Sequence, residues 1–182
     1  MRSWYSLLFT ITLTVGTASA DQTDPLLNEL FDVLQRTTDL NSIRDTENAI
    51  WEIWLQHENL DVMRLMEMGT QRMNYQRFND ALLIFSQIIE KYPEFAEAWN
   101  KRATLYYLVG DLEASLADIE KTLALEPRHF GALSGLGLVY VQRNELSRAK
   151  ETFEKLIRIH PHSPNAAENL RQVEASQSAN II

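Results

Sequence analysis

Three prolines stand 34 residues apart in this chain, at Pro93, Pro127 and Pro161, and the residues between them repeat in register. A period of this length is typical of helical hairpins stacked side by side. No single hairpin can bury its apolar face alone, so neighbouring hairpins have to pack against one another. The sequence therefore predicts an all-α fold, a right-handed α-solenoid of about nine helices. Stacks of this kind more often bind other proteins than catalyse reactions.

Each repeat places small residues where two helices would cross and large residues around them. In the third repeat Gly137 and Ala149 are the small pair, and Leu133 and Phe153 are the large pair. Two antiparallel helices approach closely only where side chains are small, because larger ones hold the backbones apart. We therefore expect Gly137 to face Ala149 across the third hairpin.

The ends of the helices are marked by residues with special backbone behaviour. Gly110 and Asn144 stand between the two helices of their repeats, where a left-handed backbone would end the first helix. The prolines end the second helices, since each lacks an N–H and restricts the residue before it. These boundaries divide the array into three repeats, residues 62–95, 96–129 and 130–161.

The third repeat fills the eight positions that characterise the tetratricopeptide repeat (TPR). On these residues the chain resembles the TPR family over about residues 62–161. The resemblance implies a concave groove for a protein or peptide partner, with no cofactor and no catalytic residues. Residues 100–110 and 125–137 also resemble small exported TPR proteins of proteobacteria, a group without an established activity. The eight positions are filled by Leu133, Leu136, Gly137, Tyr140, Ala149, Phe153, Leu156 and Pro161.

In this repeat type the first helix of each hairpin lines the concave face, so the resemblance also points to individual groove residues. Methionines in the first repeat can repack around different apolar side chains. Polar side chains in the second and third repeats can hydrogen-bond to a peptide backbone. The alternative is a concave face that packs on the terminal helix and binds nothing. The predicted peptide-binding residues are Met66, Thr70, Met73, Asn100, Lys101, Thr104, Tyr107, Ser134 and Leu138.

Some TPR relatives grip a C-terminal carboxylate with a clamp of lysine and asparagine side chains. Here Met66 and Thr70 fill the clamp positions of the first repeat, and Gly131 and Gly135 fill those of the third. Only the second repeat offers a lysine and an asparagine. Binding of a chaperone tail by that clamp is therefore not expected.

Residues 1–20 have the features of a secretory signal peptide, with Arg2, an apolar run over residues 7–15 and small residues before Ala20. We expect cleavage after Ala20, a mature chain without stable membrane insertion, and an exported, periplasmic location. The alternative is an uncleaved segment that anchors the chain in the inner membrane. The sequence has no cysteine, so an exported chain would have to rely on packing rather than disulfides.

Both ends of the repeat array are expected to carry caps. Residues 21–61 match the repeat register weakly, and we interpret them as a degenerate hairpin that caps the stack, with Trp51 and Trp54 in its core. Residues 162–176 form a predicted C-terminal capping helix with a modest apolar face, as a solenoid needs at its open end. Residues 177–182 are predicted to be disordered.

One buried charge is expected inside the array. Arg102 stands where TPRs usually have leucine, on a face that should pack against the next helix. An unpaired buried charge is costly, so we expect Arg102 to pair with Asp118 on the following helix. The alternative is an arginine whose stem packs while its head reaches solvent.

Composition and motif content narrow the function. The formal net charge is −8 and no basic cluster is present, which argues against nucleic acids and anionic membrane surfaces as partners. His57, His129, His160 and His162 lack cysteines or carboxylates with ligand spacing, so no metal is expected and the chain is predicted not to be an enzyme. The sequence favours an exported adaptor that binds a partner in its groove. A self-associating envelope solenoid and a histidine-based metal protein are the alternatives.

Overall fold

The computed structural model of the chain describes residues 22–179. Over this part of the chain all regular structure is helical, which confirms the predicted all-α fold. Six of the helices form three antiparallel hairpins, one for each predicted repeat. The helices are α1 (Leu26–Arg36), α2 (Leu40–Leu55), α3 (Leu60–Asn74), α4 (Phe78–Lys91), α5 (Ala96–Leu108), α6 (Leu112–Leu125), α7 (Phe130–Gln142), α8 (Leu146–Ile159) and α9 (Pro164–Ala179).

Each hairpin turns at one residue in the left-handed backbone region. Gly110 has φ +84°, and Asn144 and Gln76 have φ +58° and +57°. In each case the next residue donates its N–H to the carbonyl five positions earlier, which satisfies a free carbonyl at the end of the first helix. The predicted turns at Gly110 and Asn144 are confirmed. Gln76 was not predicted, because glutamine carries none of the usual signals for this conformation.

In the first and third repeats the two helices meet where a glycine makes room for an aromatic ring. A Cβ atom at Gly137 would lie 2.4 Å from Cε1 and Cζ of Phe153, and one at Gly69 would lie 2.7 Å from Cε1 of Phe85. The missing side chain makes room for the flat ring of Phe153, which is fully buried. Ala149 is fully buried in the same hairpin, and its predicted contact with Gly137 stays a prediction.

The C-terminal helix α9 packs along α8 and is longer than predicted. Ala166 and Val173 are buried against the third repeat. The predicted disorder from residue 177 is wrong for residues 177–179, which continue the helix. Ser178 donates to the carbonyl of Glu174 at 3.0 Å, and the Gln177 amide lies 3.5 Å from the Ser147 hydroxyl on α8. Residues 180–182 lie outside the described part of the chain.

The first hairpin, residues 22–55, does not continue the stack, and we call it the strap. It lies along the edge that carries the loops between repeats, with α1 against α8 and α2 against α5. It therefore touches all three loops that contain the 34-residue prolines. These contacts join the Gln22 amide to the Glu94 carbonyl (2.6 Å), Arg128 Nη1 to Asn28 Oδ1 (2.8 Å), and His160 Nε2 to Glu47 Oε1 (2.7 Å).

The strap has its own apolar core, which the loops complete. Leu27, Leu34 and Trp54 are fully buried, and Phe130 and Ile159 of the third repeat pack against this core. Residues 21–61 were expected to cap the end of the stack, but their two helices pack against α5 and α8 instead. The register has polar residues where a stacking hairpin needs small or aromatic ones, so its apolar face packs on the loops instead.

Candidate peptide-binding groove

A cavity of about 210 Å³ opens on the concave face between α5 and α7. Five of the nine predicted groove residues line it, although they come from two repeats. The remaining wall is made of small or apolar side chains. The full lining is Asn100, Ala103, Thr104, Tyr107, Ser115, Ile119, Gly131, Ala132, Ser134, Gly135 and Leu138.

The floor of this cavity is apolar because its hydroxyl groups are turned towards the backbone. Ser115 donates to the Ala103 carbonyl at 2.9 Å, and Thr104 donates to the Asn100 carbonyl at 2.9 Å. A Cβ atom added at Gly135 would have one neighbour within 4 Å, Ile119 Cδ1 at 3.6 Å. The glycine therefore leaves open space in the floor of the cavity. The volume is below the roughly 300–1,000 Å³ typical of sites for drug-sized ligands. The cavity therefore suits a single side chain better than a cofactor.

A second cavity of about 410 Å³ lies on the concave face of α3. It contains two more of the predicted residues, Met66 and Thr70, while Met66 itself is almost fully buried. Met73, also predicted for the groove, packs instead against the core of the first repeat. The lining is Leu55, Met63, Met66, Glu67, Thr70, Gln71 and Asn74.

Lys101, the remaining predicted residue, is not a free cation of the groove. Its Nζ lies 3.2 Å from Oε1 of Glu97, whose side chain is fully buried. Oε2 of Glu97 accepts from the Asn100 amide at 3.0 Å and lies 3.0 Å from His129 Nε2. Burial alone would raise the pKa of Glu97, but His129, Lys101 and Asn100 together hold it below its usual value. The Glu97 carboxylate therefore occupies Lys101 and Asn100, the lysine and the asparagine that a clamp would need to bind the C-terminal carboxylate of a partner.

His129 joins this network to the start of α7. Its Nδ1 accepts from the Ala132 N–H at 3.1 Å and caps the helix, so Nε2 carries the hydrogen that points to Glu97. The ring is fully buried. The sequence did not predict this pairing. The two residues stand 32 positions apart, and the 34-residue period does not pair residues at that separation.

The predicted pair of Arg102 and Asp118 is present but lies away from the groove. Arg102 Nε and Nη2 donate to Oδ2 and Oδ1 of Asp118 at 2.7 and 2.8 Å. Its third nitrogen donates to the Ser86 hydroxyl at 3.0 Å, and the guanidinium lies 5.0 Å from the Trp99 ring. The hydrogen bonds to Asp118 raise the pKa of Arg102 despite its burial. The pair joins α5 to α6 within the second repeat, and the bond to Ser86 ties this repeat to the first, so the role of Arg102 is structural.

The other histidines are dispersed. His57 packs edge-on against Tyr92 and Phe95, and its Nδ1 accepts from the Asn59 N–H at 3.0 Å. His160 is buried beneath the strap, and His162 is exposed. Within residues 22–179, no group of three histidine, cysteine or acidic side chains is placed to hold a metal ion. In the same residues no helix combines the length and the apolar character that crossing a membrane requires.

Comparison with a family model agrees with the repeat pattern. A model described as the tetratricopeptide repeat matches residues 67–119 and 101–164, which together cover more than half of the chain. A TPR repeat-containing protein of Rhizobium etli is 30% identical over 154 residues, which are 85% of this chain and 76% of that protein. The Hsp70-Hsp90 organizing protein of Triticum aestivum is 25% identical over 115 residues, and the match spans 63% of this chain but only 20% of that protein.

Solved structures show the same fold. The first TPR of Spaghetti (RPAP3), bound to the HSP90 peptide SRMEEVD, superposes with a TM-score of 0.62 at 19% identity over 64% of this chain and 93% of that one. The crystal structure of MamA superposes with a TM-score of 0.62 at 21% identity and covers 78% of this chain and 86% of that one.

Proposed function

Because this chain belongs to the tetratricopeptide-repeat family, we propose that it is a non-catalytic adaptor that holds a segment of a partner protein in its concave groove. One observation carries the proposal. Asn100, Thr104 and Tyr107 on α5 converge with Ser134 and Leu138 on α7 around a single cavity. An apolar floor with polar groups at its rim is the usual composition of a site for a peptide side chain.

The chemistry of the groove favours an apolar partner segment over an acidic tail. The RPAP3 structure contains an HSP90 peptide with three acidic residues. In this chain the lysine on the concave face of α5 is already paired with Glu97, and the third repeat offers glycines in place of cations. We therefore propose that a large apolar side chain enters the cavity between α5 and α7. Backbone groups of the segment next to it would bond to the Ser134 hydroxyl at the rim.

The second cavity supports a longer bound segment. Met63 and Met66 lie on α3, the first helix of the neighbouring repeat, with Glu67 beside them. Methionines adapt to different apolar side chains, and the single carboxylate would favour a lysine or arginine nearby. A segment that crosses from α7 to α3 would thus carry two apolar anchors with a basic residue near the second.

The experiment that tests this proposal is partner capture by a groove variant. The protein is cross-linked in its native compartment, and what is attached is identified by mass spectrometry. Tyr107→Ala with Ser134→Glu should abolish capture, because the lost ring removes apolar contact and the new carboxylate is desolvated without a counterion.

Tyr75→Ala with Ser147→Glu is the matched control, since both positions are exposed and lie away from the two cavities. Circular dichroism checks that each variant keeps its helix content. Equal recovery of the partner by the groove variant and the control would show that the groove is not the binding site. Growth of the molar mass with concentration in light scattering would instead favour the self-associating solenoid.

We further propose that the adaptor is exported, since residues 1–20 carry the features of a signal peptide. These residues lie outside the described structure. Intact-mass measurement on protein from its native host should give a chain that begins at Asp21, in a soluble envelope fraction. Retention of residues 1–20 in the membrane fraction would favour the anchored alternative.

A further inference from the structure

The strap reaches the end of the cavity between α5 and α7. Trp51 of α2 lies so close to the cavity residue Gly131 that an added Cβ there would stand 2.7 Å from its Cη2 atom. Lys101 Nζ is 5.9 Å from the Trp51 ring. The indole therefore closes the groove on the side of the loops between repeats. A bound segment that runs further in this direction has to displace Trp51, and with it α2.

The interface between the strap and the repeats contains buried polar groups that have no hydrogen-bond partner while the strap is closed. Trp54 stacks on His129 with a centroid distance of 4.1 Å and an interplanar angle of 10°, yet its Nε1 has no hydrogen-bond partner among the described residues. His160 is 1% exposed. Glu47 Oε1 is 2.7 Å from its Nε2, but the contact lacks hydrogen-bond geometry, and neither ring nitrogen is paired in the described structure. Burial without hydrogen bonds favours opening, because water would satisfy both groups.

We propose that the strap is a proton-operated cover of the concave groove, closed at neutral pH and released when His160 gains a proton. This inference rests on the groove being the binding site of the adaptor. Release would carry Trp51 away from Gly131 and lengthen the accessible groove. Acidification would thus expose more of the groove to the partner.

The direction of the pH effect follows from the burial of His160. Burial, with a smaller contribution from His162, lowers the pKa of His160 to about 4. Once the strap opens, the exposed ring would return to its ordinary range near 6.5. The open state therefore binds more protons between these two values, and a fall in pH through this window favours opening.

The groups that face His160 weaken the opening of the strap at low pH but do not reverse it. Glu47 faces it from α2, His162 from its own loop, and α7 contributes the uncharged ring of Phe130. Burial raises the pKa of Glu47, which disfavours its charged form in the closed state. The closed state also takes up a proton at Glu47, which opposes opening at the acid end of the window. Proton uptake at His160 and at Glu47 together predicts that the equilibrium constant for opening of the strap rises roughly tenfold from pH 7 to pH 5.

Hydrogen exchange on the full chain tests the release without any partner. Amides of α1 and α2 should exchange roughly tenfold faster at pH 5 than at pH 7, after correction for intrinsic rates, while amides of α3–α8 keep their protection. His160→Gln should abolish this acceleration, and His162→Gln, at an exposed neighbouring position, should retain most of it. If His160→Gln weakens the strap at every pH, His160→Phe fills the site without a titratable group and should also give a flat profile.

Unchanged exchange of α1 and α2, or equal acceleration in the His160 variants, would overturn the proposal. Slower exchange at pH 5 would show that His160 and Glu47 form a stabilising ion pair, and it would overturn the proposal as well.

Access to the groove is measured separately by alkylation. The chain has no cysteine, so Ser134→Cys reports on the cavity and Ser147→Cys on an exposed site with the same chemistry. The ratio of their rates with fluorescein maleimide should rise several-fold between pH 7 and pH 5. A constant ratio would show that the strap does not cover the groove. Neither measurement needs the partner, so a partner still captured by the Tyr107 and Ser134 double variant would reject the groove function alone.

Discussion

At the residue scale, Arg102 shows how a charge is held inside a helical repeat. All three guanidinium nitrogens have partners, and the Asp118 side chain is only 6% exposed. Asp118→Ala should reduce the free energy of unfolding by about 3–5 kcal/mol, because it leaves a buried arginine without its counterion. Replacing both residues by apolar ones should recover much of the loss. Urea unfolding of the single and double variants measures this, and additive losses would show that the two residues do not interact.

Two glycines of α7 differ in what surrounds them, which gives a matched pair of variants. Gly137→Ala should cost about 1–3 kcal/mol, since its methyl group would overlap the Phe153 ring. Gly135→Ala should be neutral or stabilising by up to about 1 kcal/mol, because alanine favours the helix and the site has ordinary contacts. Thermal melting of the two variants measures the difference. Equal melting temperatures would show that the ring does not set the approach of α7 and α8.

The repeat period made some of these residues predictable and hid others. Arg102 was identified because it departs from the pattern, and its partner lies one hairpin turn away in a known register. Glu97 and His129 were missed as a pair because they lie at opposite ends of the second repeat, at the starts of α5 and α7. Their contact depends on how far one hairpin rotates against the next, and a linear pattern carries no information on that angle.

At the element scale, the three hairpin turns share one backbone conformation with different residues. Gly110 has no heavy atom near the site of a Cβ, so Gly110→Ala carries only the conformational cost of a left-handed alanine, about 1–2 kcal/mol. Gln76→Gly should instead stabilise by up to about 1 kcal/mol, because the present glutamine already bears that strain. Chemical denaturation of both variants checks the opposite signs. A loss of stability in Gln76→Gly would show that the glutamine side chain makes a contact that matters more.

At the scale of the whole molecule, the strap should behave as a unit separate from the repeats. Trp54 is fully buried in the strap core, and Trp54→Ala should cost about 3–5 kcal/mol of local stability. Hydrogen exchange should show loss of protection in α1 and α2 with little change in α4 and α6. Trp99→Ala is the control, because that side chain belongs to α5 and bonds to the Pro93 carbonyl at 2.8 Å. Equal loss of protection throughout the molecule would show that the strap and the repeats unfold together.

The sequence predicts the two helices of the strap but not the surface on which they pack. Extending the 34-residue register backwards assumes that each hairpin packs on the one next to it in sequence. Trp51 and Trp54 fall in register with that assumption, yet they pack on His129 and Phe130. An apolar face only requires burial, and the loops of the third repeat offer a better surface than the end of the first.

The bond between Asn28 and Arg128 spans 100 residues, and this distance has a consequence for how the molecule is made. Repeat proteins usually fold by adding each unit to its neighbour, so that folding can follow synthesis. Here α1 and α2 are synthesised before the repeats but cannot pack in their final position until α7 and α8 have formed. For most of translation the indole rings of Trp51 and Trp54 lack their final partners. A chaperone that binds the nascent chain should therefore be needed at α1 and α2, until synthesis of the third repeat is complete.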